Sequence, residues 1–318
     1  MPTTQKKPEI DHTPPFIAVT PPPLSNQPPA RNRRIWLWII PALVILVGIL
    51  FIINLAVNKS AAGTSKTASI STNGLKIGST QTSAADGMQQ VYVPAGDFIM
   101  GSEESKAYAN ERPQHTVTLD AFWIDKTEVT NAMYEKCVVA KVCTNPDSEV
   151  SYTRKKYYGN DNYTNYPVVH VTWNQAKQYC EWAGRALPTE AQWEKAARGT
   201  DGRTYPWGSD APSKDIVNYN GNLGDTQPVG SYTAGASHYG ALDMDGNVWE
   251  WVADNYDSQY YDSSPASNPT GPTSGTYHII RGGSWYNLAL DIRTSVRLAV
   301  NPAKTYYDTG FRCASSAK

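Results

Sequence analysis

The sequence is short of the side chains that usually carry redox or metal chemistry. It holds only four cysteines and five histidines in 318 residues, and no cysteine stands between Cys180 and Cys313. No CxxC motif is present and no histidines follow HxH or HxxxH spacing, so a zinc or histidine-rich metal cluster is not indicated. The formal net charge of -1 gives no electrostatic argument for a nucleic-acid partner.

Long periodic segments are also few. Alternating apolar residues predict strands within 90–102 and 115–130, and capping signals at Thr130, Thr172 and Thr189 predict the starts of three helices. From residue 200 onward the chain is mostly turns and short strands. Ten Trp and twenty Tyr against five Phe suit a loop-rich core and a recognition surface. The fold class predicted is an irregular α+β domain.

The first 57 residues do not read as part of that domain. Residues 1–34 are Pro-rich and polar, which predicts a disordered tail. Residues 35–53 contain no charge and the apolar run continues to 57. About 20 apolar residues span a bilayer as a helix, so residues 35–57 are predicted to be a transmembrane helix. A cleaved signal peptide is the alternative.

Flanking cations suggest the orientation. Arg31, Arg33 and Arg34 precede the apolar run, whereas Lys59 is the only cation close behind it. This bias favours a single-pass membrane protein with a cytoplasmic N-terminus. Residues 58–87 are then expected to be a flexible linker, and 88–318 a folded domain outside the cytoplasm.

All four cysteines lie in that outer domain, where an oxidising compartment favours disulfides. Three pairings are possible. Because Cys137 and Cys143 are close in sequence, we expect them to pair, leaving Cys180 with Cys313. A metal cluster is the alternative, and the scattered spacing disfavours it.

Several segments together resemble one family. They are VPAGDFIMGS, ERPQHTVTLDAFWIDKTEVT, YPVVHVTWNQAKQYCEWAGRALPTEAQWEKAARG, YPWG, GALDMDGNVWEW, RGGSW and GFRCA. In this order, over about residues 89–315, they are similar to the formylglycine-generating enzyme family, also called the sulfatase-modifying factor domain. The resemblance implies a fold related to C-type lectins with little regular secondary structure. It also implies a Cys180–Cys313 disulfide.

Active members of that family oxidise a client cysteine with oxygen and a copper ion, which two cysteines just after the GGS segment hold. Here the segment from Gly282 to Leu290 contains no thiol. Cu(I) prefers thiolate or thioether ligands, which Tyr286 and Asn287 do not provide. Copper is therefore not expected, and the family site region around Ser284 and Asn287 is expected to lack formylglycine chemistry.

The resemblance also implies structural calcium, which needs six to eight oxygen ligands. Without it, the turn GALDMDGNVWEW could equally be a polar turn that bonds its own backbone. One implied site has the side chains of Asp243 and Glu250 with the carbonyls of Gly246 and Val248. A second would use Asn218 and the Tyr219 carbonyl.

The arginines of segment 281–300 have two interpretations. Arg281, Arg293 and Arg297 could line a groove for a carboxylate, peptide backbone or glycan; Arg293, Arg297 and Trp285 are then the binding residues for an unknown protein, peptide or glycan ligand. Alternatively they form ion pairs, with the acidic turn 243–250 or with Asp291, because buried arginine is usually paired. The function predicted is a membrane-tethered binding domain without formylglycine-generating activity. The alternative is an oxidoreductase of the same family that uses a different metal or partner.

Overall fold

The computed structural model describes residues 74–317. This range has three α-helices, four short 3₁₀ turns and ten strands. The helices are α1 (Asn131–Val139), α2 (Trp173–Trp182) and α3 (Glu190–Arg198). Few helices and many short strands are what the sequence predicts, so the α+β assignment with little regular structure is confirmed.

The strands form three antiparallel or mixed sheets. Their order is β1-β2-β5-β10 in the first, β3-β4 in the second and β8-β7-β6-β9 in the third. The bounds are β1 Thr80–Thr82, β2 Gln89–Val93, β3 Gly96–Met100, β4 His115–Leu119, β5 Phe122–Asp125, β6 Trp249–Asn255, β7 His278–Arg281, β8 Arg297–Val300, β9 Thr309–Phe311 and β10 Ala314–Ser316.

The three predicted helix starts are confirmed. The hydroxyl of Thr130 accepts a hydrogen bond from the Met133 N–H at 3.2 Å. Thr172 and Thr189 each form a full capping box with the glutamine three residues on. An N-cap oxygen satisfies a backbone N–H that the first turn leaves unpaired, which is why these local signals define where the helices begin.

The predicted strand within 90–102 is two strands in different sheets. The chain leaves β2 at Val93 and enters β3 at Gly96. Pro94 lies between them and cannot donate to a sheet ladder. The folded unit also extends N-terminal of residue 88, because β1 pairs antiparallel with β2.

Both predicted disulfides are confirmed. Cys137 bonds Cys143 and Cys180 bonds Cys313, so all four cysteines of the chain are used. Cys180 and Cys313 are fully buried in an aromatic-rich core that joins α1 and α2 to the third sheet. This bond therefore ties the helical part of the domain to its C-terminal strands.

The third sheet brings distant loops together at one end. β6 runs antiparallel to β7 and parallel to β9. The start of β6, the end of β7 and the start of β9 therefore lie side by side. The loops that adjoin these points, 243–248, 282–287 and Asp308, form what we call the loop junction.

Among residues 74–317, no helix is long and apolar enough to cross a membrane. The predicted tail and transmembrane helix at 1–57 lie outside the described residues.

Candidate functional site

Backbone hydrogen bonds hold the loop junction together. The Gly246 N–H donates to the Gly282 carbonyl at 2.9 Å, and the Trp285 N–H donates to the Asn247 carbonyl at 2.9 Å. The Trp249 N–H donates to the Asp308 carbonyl at 2.8 Å. A Cβ on Gly246 would lie 2.4 Å from the Asn218 carbonyl, so only glycine permits this approach of the 218 loop. The sequence segments that carry the family resemblance are thus one structural unit.

Asn218 belongs to the second predicted calcium site and is hydrogen-bonded to Asn247, in the turn that forms the first. Its carbonyl accepts from the Asn247 N–H at 2.9 Å, and its side-chain amide donates to Asn247 Oδ1 at 3.2 Å. Asn247 Nδ2 in turn donates to Glu128 Oε1 at 2.9 Å. Burial raises the pKa of the Glu128 carboxyl well above its usual range, and the charge of Asp243 adds to this. Glu128 is a member of the site that sequence patterns did not indicate.

Glu250, a predicted calcium ligand, has an internal cation as partner. Its two carboxylate oxygens contact the Arg312 guanidinium, both at 2.7 Å. The Trp193 indole N–H also donates to Glu250, at 2.9 Å. Asp243, at the other end of the turn, accepts from the Gly230 N–H at 2.5 Å. Burial raises the pKa of Asp243.

The oxygen donors of the junction fit calcium in part. Asn218 Oδ1 is buried and has no hydrogen-bond partner in the described part of the chain, which suits a cation ligand because a buried oxygen without a partner is costly. The Asn218, Asp243, Tyr219, Gly246 and Val248 oxygens are the hard donors that calcium prefers. Glu250 is the exception, since Arg312 occupies it. Within residues 74–317, no three His, Cys, Asp or Glu side chains are grouped to hold a metal ion. Calcium stays a prediction.

Ser284 lies at the base of the junction, where it is fully buried. Its hydroxyl lies 2.8 Å from Asn287 Oδ1 and 3.0 Å from Asp308 Oδ2. Because a hydroxyl carries one proton, it donates to one of these oxygens at a time. Burial raises the pKa of Asp308 to about 6. Asp308 stands beside the GFRCA segment, but only the parallel pairing of β9 with β6 shows that it meets Ser284.

The donors around Ser284 do not fit copper(I). They are a hydroxyl, an amide oxygen and a carboxylate, whereas Cu(I) prefers thiolate or thioether sulfur. The four sulfur atoms of cysteine are all in disulfides. No chemical step through a copper ion follows from these residues.

An aromatic cluster covers this end of the junction. We call Tyr152, Trp285, Tyr286 and Tyr307 the aromatic cluster. The Tyr152 ring lies 5.1 Å from that of Trp285 and 5.2 Å from that of Tyr307, and Trp285 lies 5.6 Å from Tyr286. Tyr152 is 49% and Tyr286 41% exposed, whereas Trp285 is buried and its indole N–H has no hydrogen-bond partner among residues 74–317. Trp285 was predicted to bind ligand; Tyr152 and Tyr307 were not foreseen.

The arginines of the same chain segment form ion pairs. Arg293 donates to both carboxylate oxygens of Glu111, at 2.7 and 2.8 Å. Arg297 does the same to Glu190, at 2.7 and 2.8 Å. Both guanidinium groups are buried. The structure therefore agrees with the ion-pair interpretation, but the partners are these two glutamates and not the turn 243–250 or Asp291.

A groove of about 660 Å³ is lined by residues 288–290, which follow Trp285 and Tyr286 in the chain. Leu288 and Leu290 line it, with 60% and 36% exposure, together with Tyr205 and Tyr219. The 219–224 loop is held against it, since the Asn220 N–H donates to the Asn287 carbonyl at 2.8 Å. Glu104, Lys106 and Arg293 also line the groove, so its surface mixes apolar, aromatic and charged side chains.

Known proteins that are similar in sequence or structure support the family resemblance. The chain is 34% identical to the formylglycine-generating enzyme of Streptomyces coelicolor, over 72% of this chain and 89% of that protein. It is 34% identical to hercynine oxygenase of Mycolicibacterium smegmatis, over 70% of this chain but only 60% of that protein. Among solved structures, PvdO from Pseudomonas aeruginosa superposes with a TM-score of 0.65 at 26% identity, covering 76% of this chain and all of that one.

The family model for the sulfatase-modifying factor enzyme 1-like domain matches residues 77–317. That range contains all the helices and strands of the described residues, both disulfides, the loop junction and the groove. Few helices and many short strands are also features of the structural relatives. The chain belongs to the sulfatase-modifying factor enzyme 1-like domain family.

Proposed function

We propose that this chain is a membrane-tethered binding domain of the family that lacks formylglycine-generating activity. Its ligand is a peptide, protein or glycan, which it takes at the surface formed by the groove and the aromatic cluster. Residues 35–57 anchor it as a single-pass protein, with the N-terminus cytoplasmic and the domain outside. Calcium at the loop junction stabilises loops that have little regular structure of their own.

The observation that carries the proposal is the use of every cysteine in a disulfide. The family's copper chemistry needs a pair of thiolates after the GGS segment, and here that segment offers Ser284 and Asn287, with Asp308 in contact with Ser284. Ser284 has no histidine among its hydrogen-bond partners, which also argues against an activated serine nucleophile. What the site does offer is exposed aromatic and apolar surface, and such patches mark binding sites.

Turnover tests the proposal directly. The full-length chain is incubated with copper, oxygen and a cysteine-containing sulfatase peptide, while oxygen uptake and formylglycine in the peptide are measured. We expect neither above the level of heat-denatured protein. Clear formylglycine production would contradict the proposal.

An oxidoreductase with another metal is the second candidate, because hercynine oxygenase is among the relatives. Metal analysis of the purified chain separates the two. Calcium without stoichiometric iron or copper supports the binding domain. Stoichiometric iron favours the oxidoreductase.

A further inference from the structure

A second pocket, of about 150 Å³, shares no lining residue with the groove. Pro94, Ala95 and Asp97 line it where the chain passes from β2 into β3, together with Lys195 of α3 and with His238. Sites for drug-sized ligands have volumes of about 300–1,000 Å³. This pocket is smaller, so it admits only a small molecule.

The amine of Lys195 is held by two backbone carbonyls beside this pocket. Its Nζ donates to the Pro94 carbonyl at 2.9 Å and to the Gly96 carbonyl at 2.7 Å. Lys195 is 1% exposed and forms no ion pair with any residue of the described range 74–317. The carboxylate of Asp97 instead accepts from the Thr118 hydroxyl at 2.6 Å. A buried amine thus lies against the segment that lines the pocket, without a carboxylate in contact.

Two carbonyl partners fit the neutral form of this amine. An ammonium group carries three N–H donors, whereas a neutral primary amine carries two N–H donors and one lone pair. The two carbonyls therefore accept both N–H groups of the neutral amine and leave its lone pair free to attack. Burial lowers the pKa of Lys195 to about 8, although the charge of Asp97 opposes this shift. Lysine acts as a nucleophile in this neutral, desolvated form.

We propose that Lys195 forms an imine with a small aldehyde or ketone that enters this pocket. The amine nitrogen attacks the carbonyl carbon, a C–N bond forms, and one amine proton moves to the carbonyl oxygen. That oxygen then leaves as water with the second amine proton, and a C=N bond remains. Neither an oxidant nor a reductant is consumed. The site is independent of the proposed binding function at the groove and the aromatic cluster.

His238 is the group of this pocket that is suited to move those protons. It lies against the end of α3, because a Cβ on Gly199 would be 3.4 Å from the His238 Cβ. The Gly199 N–H in turn donates to the Lys195 carbonyl at 3.0 Å. Imidazole exchanges protons near neutral pH. The pocket therefore combines a nucleophilic amine with a group for proton transfer.

Reductive trapping tests the proposal on the full-length chain. The protein is incubated at pH 7.5 with acetaldehyde and cyanoborohydride, which reduces an imine to a stable secondary amine, and peptide mass mapping locates the adducts. We expect Lys195 to be modified at least about tenfold faster than an ordinary lysine, whose amine has a pKa of about 10.4 and is far less often neutral. Lys141 and Lys304, which are exposed, serve as the references. A smaller difference overturns the proposal.

Two comparisons show whether the reaction takes place in the pocket. A naphthaldehyde should still modify Lys141 and Lys304 but not Lys195, because it is too large for the pocket. Ala95→Phe places a large ring at an exposed position of the pocket lining and should slow the modification of Lys195 by acetaldehyde at least about fivefold. Ala303→Phe, at another exposed position, is the matched control and should react as wild type. Equal rates in the two variants contradict the proposal, whatever the outcome of the formylglycine assay.

Discussion

The segment from Arg281 to Val300 contains two regions that treat charge in opposite ways. In its second half, Arg293 and Arg297 are buried, and each forms an ion pair with a glutamate from a distant part of the chain. In its first half, the Ser284 hydroxyl contacts the Asp308 carboxylate, which forms no ion pair among residues 74–317, and Tyr286 is 41% exposed. The second half is scaffold, and the first half is the part that the proposed function makes available to a ligand.

The two halves of the segment therefore have different roles. One half holds the fold together, and the other forms part of the family site. The scaffold half pairs each buried arginine with a glutamate, because an unpaired buried charge is costly. Changes in the scaffold should therefore affect stability, whereas changes in the site should affect binding and pH dependence.

The largest effect is expected from the disulfide of the scaffold. Replacing Cys180 and Cys313 by serine opens a loop with a sequence separation of 133. In the chain-entropy treatment this costs about 5 kcal/mol, against about 2 kcal/mol for a loop as short as that of Cys137 and Cys143. Denaturant unfolding of the two double variants measures both. Equal losses would contradict a special role of Cys180–Cys313 in the scaffold.

The next effect is expected from the buried ion pair behind the loop junction. Glu250→Gln removes the carboxylate that contacts the fully buried Arg312 guanidinium, which should cost about 3–5 kcal/mol of unfolding free energy. Glu181→Gln, which removes the exposed partner of Lys177, is the matched control. It should cost less than about 1 kcal/mol. Chemical denaturation compares them, and similar losses would remove the distinction between scaffold and surface.

A smaller, pH-dependent effect is expected at Asp308. Its pKa is raised from 3.8 to about 6, so the folded state holds the proton more tightly than the unfolded chain. Asp308 therefore adds stability below about pH 4 that is lost as the pH rises through about 6. Asp308→Asn lacks this loss. Between about pH 4 and 7 the variant should gain about 2–3 kcal/mol relative to wild type. A constant difference across that range would contradict the raised pKa.

The smallest effect on stability is expected from a change in the aromatic cluster. Tyr152 is half exposed, so Tyr152→Leu should change the unfolding free energy by less than about 0.5 kcal/mol. Thermal unfolding of Tyr152→Leu and of the wild type measures this change. A large loss of stability would mean that the aromatic cluster belongs to the scaffold.

How much the sequence could predict depends on the separation of the interacting residues. Caps such as Thr189 with Gln192 are three residues apart, and the pattern identifies them. The partner of Arg293 is Glu111, 182 positions away, and many acidic residues fit an arginine equally well. No periodic pattern links Asp308 to Ser284 or Tyr152 to Trp285 either. These contacts follow from the parallel pairing of β6 and β9 and from loop packing, which only the folded chain defines.

The central claim is that this family site has exchanged its copper-binding chemistry for a binding surface. Competition of the full-length chain with a Cu(I) chelator tests it most directly, with Ser284→Ala as a reference. The account predicts only weak binding, the same in both proteins, because the donors there are oxygen atoms. Tight, stoichiometric Cu(I) binding that depends on this site would contradict it.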